Sequence, residues 1–149
     1  MRHTLQSICA LASLLVLHCA TPAFAAIELE PGLWQDTETG TENGKPVKAE
    51  VTTTCLSAEE AKSPVKAILK DAEGKTCEKL DAKENGNVVT VVMRCGDAKD
   101  MRIEIDMVIN FQSARAYSGK SKSLVIFAGQ KMTTDKTIES KWIAATCKK

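Results

Sequence analysis

Cysteine and histidine are the residues best suited to nucleophilic, redox or metal chemistry, and this chain of 149 residues holds six of the first and two of the second. Both histidines, His3 and His18, stand close to the start of the chain, together with Cys9 and Cys19. Cys55, Cys77, Cys95 and Cys147 follow, and no two of them form the Cys-x-x-Cys spacing of a redox dithiol or a zinc knuckle. Four such cysteines read as two structural disulfides. Without histidine beyond residue 18, a Ser-His-Asp or Cys-His nucleophile, a His-ligated metal and haem attachment through Cys-x-x-Cys-His all lack a required residue. No cofactor and no metal site is expected.

Other spacings resemble chemistry but lack its context. Ala114 to Ser121 ends in Gly119-Lys120-Ser121, a relaxed phosphate-loop pattern, yet a phosphate loop must open a helix. Here Lys122 to Phe127 reads as strand. Ser63-Pro64-Val65-Lys66 has the Ser-x-x-Lys spacing of a nucleophile one helical turn before its lysine, without the companion motifs of the enzymes that use it. It fits a helix cap. Asp97, Asp100, Glu104 and Asp106 could be imagined as a calcium site or a carboxylate pair, but carboxylates on the outward side of a strand read as a solvated face. The two tryptophans, Trp34 and Trp142, suit core packing more than the lining of a groove.

The most regular pattern is apolar. Met101, Ile103, Ile105, Met107, Ile109 and Phe111 alternate with residues that are polar except for Val108, the signature of a half-buried antiparallel strand. This stripe reads first as a core face. Its two methionines would also suit an adaptable lipophilic pocket, so it is the candidate ligand-facing surface.

The elements that position these residues begin after a leader. Arg2 and His3, an apolar run from Ile8 to Cys19 and the Ala23-Phe24-Ala25 motif form a secretory signal peptide, cleaved near Ala25. The run is shorter than the roughly 20 residues that a spanning helix needs. Residues 26–149 then form one soluble exported domain, periplasmic or secreted, without a membrane span. The full chain has 20 basic and 19 acidic side chains; loss of Arg2 balances them, and their interspersion gives no footprint for nucleic acid.

Pro31-Gly32-Leu33-Trp34 starts a strand to about Thr39, and a turn at Asn43-Gly44 joins it to a second strand from Val47 to Cys55. Ser57-Ala58-Glu59-Glu60 is a capping box, and Ser63-Pro64 a second helix start, giving one bent helix or two short ones to about Ala72, with Gly74 as the stop. Two strands, Glu78 to Lys83 and Val88 to Met93, flank an Asn85-Gly86 turn. Gly96 to Asp100 turns into the alternating strand. Further strands are expected at Ala114 to Ser118, Ser123 to Ala128 and Lys131 to Ala145, with Gly119 and Gly129 at turns. The fold class is α+β and mainly antiparallel: a curved sheet of about six to eight strands with the helical insertion after the second strand.

The hairpin brings Cys77 near Cys95, leaving Cys55 for Cys147. A two-residue Asn-Gly turn would offset the first pair by one residue, which a bulge can absorb. Pairings of 55 with 77 plus 95 with 147, and of 55 with 95 plus 77 with 147, stay open at this level.

Glu30-Pro31-Gly32-Leu33-Trp34, Cys55-Leu56-Ser57 leading a helix, the Cys77 to Cys95 hairpin, and Trp142 before a last Cys147 together resemble the domain of unknown function 3617 family of small exported bacterial proteins. Members often carry a glycine between the last tryptophan and the last cysteine, where this chain has Ile143-Ala144-Ala145-Thr146. The resemblance implies export and a compact disulfide-bonded domain, and supplies no activity or catalytic residue. The expectation is a non-catalytic periplasmic accessory or binding module, with a small lipophilic ligand or an envelope protein as partner. An inhibitor of a periplasmic or host hydrolase is the alternative, and an enzyme using Lys, Asp or Glu comes after that.

Overall fold

A computed structural model describes residues 27–70, 77–96 and 101–147. The leader, the helix end at Ala72 and Gly74, and Asp97 and Asp100 lie outside these. The described chain forms β1 (Gly32–Glu42), β2 (Lys45–Leu56), α1 (Ala58–Lys62), α2 (Pro64–Lys70), β3 (Cys77–Asn85), β4 (Val88–Gly96), β5 (Met101–Ser113), β6 (Ala116–Phe127) and β7 (Gln130–Ala144). Neither helix is long and apolar enough to cross a membrane.

Tight turns set the strand pairing. Asn43 and Gly44 both have positive φ, as do Ala128 and Gly129, which is the type I′ geometry that matches strand twist. Between β3 and β4 the loop is Gly86-Asn87, with Asn85 paired to Val88 and positive φ at Gly86. The turn thus sits one residue later than Asn85-Gly86. The resulting offset is taken up by a bulge between Cys77 and Lys79, so that Cys77 still faces Cys95.

Every neighbouring pair of strands is antiparallel, in the order β2-β1-β7-β6-β5-β4-β3. The curved sheet does not close, which leaves β2 and β3 as its edges. β6 corrects the expectation of two strands around a turn at Gly119. It runs unbroken, with Gly119 paired to Ile109 on one side and Ile138 on the other. Glycine here is a missing side chain in mid-strand rather than a change of direction.

Period two assigns the faces. Val89 and Val91 of β4, Ile109 and Phe111 of β5, and Trp34 of β1 are buried on the inner face with Leu29 and Ala61. Each large aliphatic side chain so removed from water contributes about 1.5–3 kcal/mol. The helices cover this region. Ser57 accepts from the Glu60 amide while the Glu60 carboxylate accepts from the Ser57 amide, completing the capping box. Ser63 ends α1, and Pro64 begins α2, whose Val65, Ile68 and Leu69 lie against the core. The lead segment is fastened through Leu29 N–H to the Ala61 carbonyl and Glu30 N–H to the Ala114 carbonyl.

Disulfides join Cys55 to Cys147 and Cys77 to Cys95.

Candidate functional site

Between α2 and the inner face of the sheet lies a cavity of about 460 Å³, within the range of small-molecule sites, roughly 300–1,000 Å³. Its walls differ in character. Met107, Ile109 and Phe111 of β5, with Ile138 of β7, make an apolar side, and Pro64, Ala67 and Ile68 of α2 roof it. Gly119 lies on the floor beside Ile109.

Toward β1 the lining turns polar. Trp34, Asp36 and Glu38 alternate along β1 and so share its inner face, and all three line the cavity. Register places Asp36 between Thr52 of β2 and Ser140 of β7, and places Ser140 opposite Tyr117 of β6. Three hydroxyls converge on the Asp36 carboxylate. Thr54 Oγ1 donates to Oδ2 at 3.1 Å, Tyr117 donates to Oδ1 at 3.4 Å, and the buried Ser140 hydroxyl donates to the same Oδ1. Burial, and after it the carboxylate's charge, pushes the Tyr117 phenol above its ordinary pKa, so it stays a donor. Glu38 accepts from the Lys136 ammonium. The Tyr117 ring also joins the core, 5.6 Å from Trp34 and 5.7 Å from Phe111.

Of the alternating stripe, Met107, Ile109 and Phe111 line the cavity. Ile103 and Ile105 are half-buried further along the same face, and Met101 is exposed at its end, opposite the 63% exposed Phe127. Sequence reasoning missed Asp36 and Glu38. The available signal was their even spacing from Trp34, which puts two carboxylates on the inner side of a strand.

The tryptophans secure the opening segment. Trp34 is buried and borders the cavity, and its indole N–H donates to the Glu30 carbonyl at 2.9 Å. Trp142 donates to the Pro31 carbonyl at 3.0 Å and lies under the Arg115 guanidinium, 4.5 Å from the ring centre. The Pro-Gly-Leu-Trp segment is therefore held by one indole inside it and one from the last strand. These contacts give a physical reason for the residues that carried the resemblance. The chain belongs to the DUF3617 family. The family, described as a protein of unknown function, matches over residues 29–147. No curated protein and no solved structure matches the chain. The DUF3617 match takes in both disulfides and every residue lining the cavity.

The remaining sequence candidates take structural places. Glu104 and Asp106 lie on the outer face in a network of ion pairs. Arg94 grips Asp106 with both carboxylate oxygens at 2.8 and 2.9 Å, and Arg102 joins Glu104 at 2.7 Å and Glu78 at 2.8 Å. Glu104 foremost, then Glu78, raises the Arg102 pKa further. Gly119-Lys120-Ser121 lies in mid-strand, with no helix behind it. Ser63 caps the end of α1, one residue before Pro64. Among the described residues no cluster of His, Cys, Asp and Glu is gathered to hold a metal ion.

Proposed function

We propose that the chain is exported, loses its leader near Ala25 and acts as a non-catalytic binding module that holds a small lipophilic molecule under α2. The cavity carries this reading: an apolar stretch of Met107, Ile109, Phe111 and Ile138 adjoins a stretch with a few fixed polar groups on the same sheet face. Sites for small molecules have that division, the apolar part supplying affinity and the polar part orientation. Methionine at position 107 lets the apolar wall adjust to the shape of its guest.

Gly119 offers the test. A Cβ placed there would meet the Val108 carbonyl oxygen at 3.4 Å and Ile109 Cγ1 at 3.8 Å, ordinary or slightly tight contacts, so side chains fit the strand but enter the cavity. With N-phenylnaphthylamine as a fluorescent apolar probe, binding should fall in Gly119→Ala and vanish in Gly119→Val, while the thermal unfolding midpoint stays near that of the parent. Undiminished probe uptake by a folded Gly119→Val protein would defeat the reading, because it would put the probe on another surface such as the exposed Phe127.

A further inference from the structure

Resting on the cavity reading above, we propose that the molecule it holds is an amphiphile with a cationic amine head, which pairs with Asp36 and Glu38 while its hydrocarbon lies against Met107, Ile109 and Ile138.

Charge supplies the first argument. The charged side chains lining the cavity are Asp36, Glu38 and Glu60, and none is basic. Lys136 balances Glu38 but does not itself line the space. The excess charge is therefore negative, in surroundings where apolar walls reduce screening and strengthen interactions between charges. A carboxylate head brought here would lose hydration and meet like charge, whereas an ammonium head would find opposite charge.

Hydrogen-bond capacity supplies the second. A hydroxyl has one proton to give, and those of Thr54, Tyr117 and Ser140 are all given to Asp36. The polar wall thus offers a guest no spare hydroxyl donor. It does offer acceptors. Asp36 Oδ2 takes a single donor among the described residues, and Glu38 Oε1 takes none, while an ionised carboxylate accepts about four hydrogen bonds in all. The complement of such a wall is a group that only donates. An ammonium has three N–H donors and no acceptor, and its bonds to carboxylate are the charge-assisted kind. The hydroxyls that ring Asp36 also fix the carboxylate in place before a guest arrives, so little ordering cost is left for binding.

The experiment compares decylamine, decanol and decanoate, which share one hydrocarbon tail, by titration calorimetry on the oxidised, processed chain. Decylamine should bind about tenfold or more tighter than decanoate, the size of one hydrogen bond to a charged group, with decanol between them. Asp36→Asn should bring decylamine close to decanol. Because Asp36 anchors three hydroxyls and its variant can lose the fold, Glu38→Gln is measured beside it, with circular dichroism on both; the amine preference should shrink there too. Added salt should weaken decylamine and leave decanol unchanged. Decanoate binding as tightly as decylamine, or an amine preference unchanged in a folded Glu38→Gln protein, would overturn the amine assignment and leave the cavity reading standing. Failure of all three tails to bind would overturn both.

Discussion

Gly32 has φ near +128°, and a Cβ there would run into the backbone of Ala144 and Ala145. No side chain can be added without parting β1 from β7 at the place where both indoles fasten the lead segment. Gly32→Ala should therefore cost about 2 kcal/mol or more, seen as a lowered midpoint in urea unfolding. The glycine's role was hidden in the sequence, because its obstacle is the far end of the chain. The same limit applies to the polar wall. Asp36 meets Tyr117 and Ser140, which lie 81 and 104 residues away, and no local pattern announces such a meeting. What period two could tell was the face on which Asp36 sits, and on that face a carboxylate needs partners.

Short-range rules carried further among the elements. The capping box, the break at Pro64 and the Cys77 to Cys95 pairing all rest on contacts within a helix turn or a hairpin, and each was readable. Gly119 misled because glycine between Ser118 and Lys120 looks like a turn, whereas pairing to Ile109 on one side and Ile138 on the other keeps β6 extended and uses the missing side chain as space. The capping box also gives α1 a pH dependence. Hydrogen bonds from the Ser57 side chain and backbone hold the Glu60 carboxylate below its ordinary pKa. A carboxylate whose pKa is lowered by folding adds stability above its unfolded value, and that contribution fades as pH falls through the folded value. The parent should thus lose stability more steeply on acidification than Glu60→Gln does, and the difference between the two should close at the acid end of a stability–pH titration. Equal slopes throughout would mean that Ser57 and Glu60 do not hold each other in solution.

For the whole molecule, the two disulfides act on a sheet with open sides. Cys77 sits at the start of edge strand β3 and Cys55 near the end of edge strand β2. The Cys55–Cys147 bond spans a sequence separation of 92 and Cys77–Cys95 one of 18. In the chain-entropy account each bond stabilises by about 3 to 5 kcal/mol, with the longer loop contributing more. Replacing Cys55 and Cys147 by alanine should then lower the unfolding midpoint further than replacing Cys77 and Cys95, and a reversed order would show that hairpin strain or residual structure governs instead. β2 is exposed along nearly its whole length, with Val47 and Val51 among its side chains and Lys45, Pro46, Lys48 and Glu50 around them as guards against lateral pairing. A strand released from such a margin bares the hydrogen-bonding groups of its neighbour and can itself dock on another molecule. Reducing the bonds at the rim should therefore favour strand exchange between molecules, an increase in particle size that light scattering would register.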